Sequence, residues 1–232
     1  MLESKDLVKN YGSKSAVNHV SLTLQPGHIY AILGPNGSGK TTWMKMVTGL
    51  VRPTSGTILF EGSPIGIDSR RHIAYMSTEP YFYTFLSIHD VGQYYANFFE
   101  DFSMTRYADL MQQMDLDLKL KVKTLSSGMM AKLKVGVTLA RDARLYLLDE
   151  PFNGIDLLAR DAIRKTILEA AQPEKALLLS SHLVEEMESI ADTAIFLSEG
   201  KLIEMRDLEE MRTQDGISMT ERYREIYGKT ED

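Results

Sequence analysis

The chain has 232 residues, with 26 Lys and Arg against 32 Asp and Glu, a net charge of −6, and no cysteine. That length suits one large α/β domain, or one domain with a small inserted lobe. Without cysteine there are no disulfides or cysteine metal sites, and an acidic balance without a Lys/Arg cluster speaks against a nucleic-acid binder.

The charged start Met1-Leu2-Glu3-Ser4-Lys5-Asp6 lacks the apolar core of a signal peptide. No apolar run approaches the roughly 18 to 20 residues that span a bilayer. A cytosolic chain that does not cross a membrane alone is expected. No linker, repeat or low-complexity tract interrupts it.

Residues 1–9 and 16–24 read as alternating strands around a turn at Asn10-Tyr11-Gly12-Ser13. The apolar run Ile29-Tyr30-Ala31-Ile32-Leu33 leads directly into Gly34-Pro35-Asn36-Gly37-Ser38-Gly39-Lys40-Thr41, and Thr42 to Val47 reads as helix. Strand, G-x-x-x-x-G-K-[ST] loop and helix together are the context of a phosphate-binding loop. Glycines at 34, 37 and 39 allow successive N–H groups to turn inward as an anion nest, backed by the positive end of the helix. The candidate cradle is Gly34, Asn36, Gly37, Ser38, Gly39, Lys40, Thr41 and Thr42. Lys40 is placed to reach the β- and γ-phosphates, and Thr41 carries the hydroxyl expected on Mg²⁺.

Thr57 to Phe60 and His72 to Met76 read as further strands, with turn-rich sequence between them. From about residue 86 to 124, aromatic and apolar residues such as Tyr94, Tyr95, Phe98, Tyr107, Leu110 and Met114 recur at helical spacing. Helix continues from Val135 to Ala140, so the helical insert covers about 86–140. Leu145-Tyr146-Leu147-Leu148 has the character of a buried strand and ends in Asp149-Glu150. An Asp there anchors Mg²⁺ in phosphate-loop enzymes, and Glu150 is placed to orient or deprotonate the attacking water. Helix follows over 156–170 with Asp156 as N-cap, then a strand at 176–179, a helix at 183–191 and a hairpin over 193–205 turning at Glu199-Gly200. The charged tail, about 206–232, is helix-prone: a docked helix or a loose end. The alternation predicts an α/β phosphate-loop NTPase with a mainly parallel central sheet. An antiparallel β subdomain on the N-terminal side and the helical insert complete one domain, 1–232.

Three further segments resemble one family. Leu125-Ser126-Ser127-Gly128-Met129 resembles the LSGGQ signature, Asn153-Gly154-Ile155-Asp156 the loop after the catalytic Glu, and Ser181-His182 the switch histidine. With the phosphate loop and Asp149-Glu150, they make the chain similar to the nucleotide-binding subunits of ATP-binding-cassette (ABC) transporters, from Leu2 to about Met205. The resemblance implies an ATPase with ATP and Mg²⁺ as ligands. It implies a homo- or heterodimer in which two head-to-tail domains sandwich two ATP molecules. Ser126 and Gly128 would contact the γ-phosphate held by the partner, and Asp156 would help join the sites. His182 would contact the γ-phosphate and the water, and Tyr11 would stack on adenine. It also implies a transmembrane permease as partner, and so a place on the inner face of the cell membrane.

Two departures stand out. The family's usual Gln is replaced by Thr78, followed by Glu79, so either residue is the candidate for the metal's outer shell. Ser127 and Met129 replace a Gly and the Gln of the signature, in a form similar to exporters of drugs and antibiotic peptides. Tyr81, Phe82, Tyr83 and Phe85 follow, either as part of a groove for the transporter's coupling helix or as core of the insert. Outside transport, the alternatives are a cytosolic ABC-type ATP switch and a binding-only degenerate subunit.

Overall fold

The computed structural model describes residues 1–79 and 81–228. Strands β1 (Leu2–Tyr11), β2 (Lys14–Leu24), β4 (Ser55–Phe60) and β5 (Ser63–Pro64) pair antiparallel in the order β2-β1-β4-β5. A six-stranded sheet holds β3 (Ile29–Leu33), β6 (Ile73–Met76), β7 (Leu145–Asp149), β8 (Ala176–Ser181), β9 (Thr193–Ser198) and β10 (Lys201–Asp207). Its order is β10-β9-β3-β8-β7-β6, and each neighbouring pair is parallel except β10 on β9. The helices are α1 (Lys40–Val47), α2 (Ile67–Arg71), α3 (Ile88–Phe98), α4 (Met104–Gln113), α5 (Ser127–Leu139), α6 (Leu157–Ala170), α7 (Val184–Glu188), α8 (Leu208–Glu210) and α9 (Met219–Tyr227).

Two-sided burial explains why the central strands are continuously apolar. Ile29, Ala31 and Leu33 join one core, with Tyr146, Leu148, Leu177 and Leu179, beneath α3, α4, α5 and α6. Tyr30 and Ile32 join the other, with Leu145, Leu147, Ala176 and Leu178, against α1 and the antiparallel sheet. The strand period of two thus divides each run between the two cores. Truncating one such buried leucine to alanine costs about 2–5 kcal/mol.

The expected frame is present, with local corrections. Tyr11 ends β1, and the turn narrows to Gly12-Ser13 because residues 10 and 11 pair with Ser15 and Lys14. Helix α5 starts at Ser127, not Val135: its N-cap is Ser126, whose hydroxyl accepts the Met129 N–H at 3.2 Å. Helix α2 lies in the stretch that reads as turns. Of the aromatic group, Phe82 packs on the core, whereas Tyr83 and Phe85 are exposed and stack on each other at 5.5 Å.

The tail up to Tyr227 is docked. Met219 is buried, and its N–H and the Thr220 hydroxyl donate to the Glu188 carboxylate at 3.2 and 3.0 Å. Arg222 pairs with Glu204 at 2.7 Å. Residues 229–232 lie outside the described residues. No helix among the described residues is long and apolar enough to cross a membrane.

Candidate functional site

Register brings the chemistry together. Leu33 lies opposite Ser181, Ser180 opposite Asp149, and Leu148 opposite Met76. The carboxyl ends of β3, β8, β7 and β6 therefore deliver the Gly34–Thr41 loop, His182, Asp149-Glu150 and the 77–79 loop to one edge. That edge is where open α/β sheets place ligands.

Three loop glycines take positive φ, Gly37 at +83°, and at Gly34 and Gly39 a Cβ would also collide with backbone. Gly34 has φ +151°, and a Cβ there would run into the Leu197 carbonyl oxygen. Gly39, the N-cap of α1, has φ +107°. The first turn of α1 itself holds no acidic residue, so its own side chains leave the positive end open toward the loop. Lys40 is buried, and its Nζ donates to the Gly34 and Pro35 carbonyls at 2.7 and 3.3 Å. The same atom stands 3.9 Å from Glu150 Oε1. Burial pushes the Lys40 ammonium below its ordinary pKa, against the pull of Glu150 and then Asp149.

Asp149, fully buried, accepts from three hydroxyls. Ser180 Oγ donates to Oδ1 at 2.6 Å, Thr41 Oγ1 to Oδ1 at 3.1 Å, and Tyr75 Oη to Oδ2 at 3.3 Å. Burial, then the charge of Asp149, pushes the Tyr75 hydroxyl well above its usual range, so it stays a donor. Glu150 has φ +52°, a left-handed conformation that costs a non-glycine residue about 1–3 kcal/mol. Its N–H donates to Ser180 Oγ at 2.8 Å, which secures that turn. Glu150 Oε2 meets His182 Nδ1 at 2.8 Å. An ionised carboxylate can only accept, so Nδ1 carries the proton in this contact.

Lys40, Thr41, Glu150 and His182 face a cavity of about 650 Å³, and Asp149 lies behind Thr41, outside its lining. Asn36, Gly37, Ser38, Gly39 and Thr42 line it with Lys40 and Thr41, and Glu150, His182 and Thr78 close the other side. Tyr11 stands at its rim, half exposed, with Lys9 Nζ 4.9 Å from its ring centroid. Ser38 Oγ is buried without a hydrogen-bond partner, an orphan polar atom in the wall of an anion nest. The donor set fits a triphosphate with Mg²⁺: one hydroxyl and one carboxylate leave most of the metal's positions to phosphate and water. No cluster of three or more His, Asp or Glu among the described residues would hold a metal by itself.

Other candidates lie elsewhere. Gly34 sits beneath the cavity, where its carbonyl serves Lys40. Glu79 does not line the cavity; its carboxylate pairs with Lys45 at 3.5 Å, which leaves Thr78 as the residue at the wall. Ser126, Gly128 and Asp156 are also outside it. Asp156 accepts the Ala159 N–H at 3.0 Å as N-cap of α6, and this bond holds its carboxyl below the usual range. A Cβ on Gly128 would stand 3.2 Å from Asp156 Oδ2, so the two form one packed surface apart from the cavity.

Among the residues that sequence reasoning missed are Tyr75, Ser180 and Lys134, and Lys14 and Ala16 at the cavity wall. Lys134 is buried, and desolvation lowers its pKa against the pull of Asp149 and Glu79. A second cavity, of about 610 Å³, opens beside Arg141 and Lys175, but those cations are already bound to Asp101 and Asp142 at 3.1 and 2.9 Å.

The profile of the family described as ABC transporter matches residues 17–153. The lantibiotic transport ATP-binding protein SrtF of Streptococcus pyogenes is 35% identical over 205 residues, covering 88% of this chain and 89% of that protein. An uncharacterized ABC transporter ATP-binding protein of Bacillus subtilis, YcbN, is 36% identical over 93% of this chain and 72% of its own length. Among solved structures, an ATP-binding subunit of an ABC transporter superposes with a TM-score of 0.86 at 28% identity, over 97% of this chain and 99% of that one. A dimeric ATP-binding cassette bound to ADP and phosphate shares the fold, with a TM-score of 0.79 at 20% identity over 90% and 99%.

Proposed function

The chain belongs to the ABC transporter family, as an ATP-binding ATPase, and from that premise we propose that it powers export by a separate transmembrane permease. The observation that carries the reading is the cavity lined by Lys40, Thr41 and the Glu150–His182 pair, with Asp149 bonded to Thr41 behind its wall.

The residues divide the work as follows. The loop amides and Lys40 bind the β- and γ-phosphates, and Ser38 Oγ gains a partner there. Tyr11 stacks on the adenine. Thr41 and Asp149, with Thr78 nearby, would hold Mg²⁺, which would supply positive charge to the phosphates. Glu150 orients the attacking water and takes its proton as the water oxygen bonds to the γ-phosphorus. The bond to the β-phosphate oxygen breaks, and ADP leaves with that electron pair. Through Nδ1–H, His182 keeps the Glu150 carboxylate aimed, and it contacts the γ-phosphate. Ser126 and Gly128 act on the phosphate held by a second copy or a sister subunit, with Asp156 joining the two sites.

The unit is 1–232, with the helical subdomain at about 86–140, placed on the inner face of the cell membrane. The exposed Tyr83, Phe85, Tyr94 and Phe98 support a docking face for the permease. SrtF, named for lantibiotic transport, supports assigning an antibiotic-type cargo.

The test is Glu150→Gln, followed by phosphate release and by size in solution with ATP and Mg²⁺. Turnover is expected to drop by about 10²–10⁴-fold, the range of a lost general base, while an ATP-bound dimer accumulates. Wild-type turnover in this variant overturns the role of Glu150.

A further inference from the structure

Beyond Met76 the chain leaves β6 as a short loop whose backbone turns three successive carbonyls toward one atom. Lys134 Nζ lies 3.2 Å from the Ser77 oxygen, 2.7 Å from that of Thr78 and 3.0 Å from that of Glu79. An ammonium has three N–H donors and no acceptor, so these carbonyls saturate it. The lysine is 7% exposed, and its Nζ lies 5.4 Å from the centroid of the Tyr81 ring. On the other side of the loop, the Glu79 carboxylate pairs with Lys45 of α1 at 3.5 Å. The Glu79 N–H also donates to Ser77 Oγ at 3.2 Å.

The loop is therefore strung between two helices. Helix α1 begins at the phosphate loop, and α5 is capped by Ser126. Lys134 lies about 12 Å along the α5 axis from Ser126, at about 1.5 Å per residue. Thr78 lines the nucleotide cavity with a side chain too short to tie the loop to anything distant. The loop's backbone is held by Lys134, and on the α1 side the pair of exposed Glu79 with Lys45 is a second, looser tie.

We propose that Lys134 is a positioning residue for hydrolysis: by clamping the carbonyls of 77–79 it fixes Thr78 at the cavity wall and ties that wall to the helix headed by Ser126. The kinetic half of this inference rests on the ATPase reading above; the clamp itself does not. A lysine that merely filled space would leave both the loop's mobility and the chemical step untouched when its donors are removed.

The experiment uses the full chain. Lys134→Met keeps the stem and removes the donors. Amide hydrogens of 77–79 are expected to exchange about tenfold faster, as local opening becomes easier. ATP affinity measured without Mg²⁺ stays within about twofold, because Lys40 and the loop amides are intact. With Mg²⁺, kcat is expected to drop about tenfold at nearly constant KM, the signature of a misplaced reacting geometry.

The chain has no cysteine, so Lys134→Cys alkylated with 2-bromoethylamine in the unfolded state and refolded restores an ammonium at this one position. It is expected to recover both slow exchange and kcat, which unalkylated Lys134→Cys lacks. Lys134→Gln, with two donors, serves if Met is not tolerated and is expected to fall between wild type and unalkylated Cys. Unchanged exchange at 77–79 in the donor-free variant overturns the clamp. Faster exchange with unchanged kcat, or no recovery on alkylation, overturns the positioning role. A wild-type chain that hydrolyses no ATP overturns the assigned function instead, and the exchange measurement separates that failure from failure of the clamp.

Discussion

Around the phosphate loop, functional side chains are bonded to one another. Thr41 and Ser180 donate to Asp149, His182 meets Glu150, and Lys40 stands between its own loop and Glu150. At the start of α5 and α6 the pattern is reversed. Ser126 and Asp156 spend their side-chain oxygens on their own helix caps, and neither reaches the cavity. The first region is complete within one chain. The second is well-formed surface whose proposed ligand belongs to another copy. Changes in the two regions should therefore separate ATP binding from ATP turnover.

The largest separation is expected from Ser126→Glu. Ser126 is exposed and a carboxylate suits a helix N-terminus, so the chain should fold. ATP affinity of the isolated chain is expected to be unchanged, because Ser126 does not line its cavity. Turnover is expected to drop about 10²-fold or more, through charge opposed to the partner's phosphate. Affinity that falls together with turnover would place Ser126 in its own chain's site and erase the contrast.

A smaller effect, confined to binding, is expected from Tyr11→Ala. Losing an aromatic stack weakens ATP by about 1 kcal/mol, or roughly fivefold, with saturated turnover retained. Titration with a fluorescent ATP analogue checks it, and equal affinity removes Tyr11 from the site.

The smallest effect concerns the support of the loop. The Tyr227 hydroxyl donates to the Leu197 carbonyl at 2.8 Å and lies 3.4 Å from that of Leu33, at the root of Gly34. Burial pushes its pKa well above the tyrosine range, so it remains a donor at neutral pH. Tyr227→Phe is expected to cost about 1 kcal/mol, a Tm drop of about 2–4 °C for a chain this size. No change in Tm would mean that α9 does not brace the loop.

The self-contained region was also the more legible in sequence. Apolar runs flanked by Gly34 to Thr41 and by Asp149-Glu150 announce both the strands and what they carry, because buried parallel strands must be apolar throughout. The Glu199-Gly200 turn was equally plain: both residues adopt positive φ. Side chains that act across the fold left no local signal. Tyr75 reaches Asp149 over 74 positions and in sequence is one more strand aromatic. Ser180 reaches the same carboxylate over 31 positions from the end of an apolar run. Lys134 resembles a solvated helix lysine like its neighbour Lys132. The first half of α5 was obscured because Ser127-Gly128 read as part of the signature motif and residues 129 to 132 are all half-buried, so no apolar stripe stands out. Glu79, a candidate for the metal's outer shell beside Thr78, pairs with Lys45 and does not line the cavity.

The most direct measurement combines two chains that are each expected to be inactive, Lys40→Ala and Ser126→Glu. In a mixed pair, one site takes its phosphate loop from the Ser126→Glu chain and its serine from the Lys40→Ala chain, so that site is whole. With ATP and Mg²⁺, the mixture is expected to release phosphate well above the summed rates of its components. A mixture no faster than that sum would contradict a shared site.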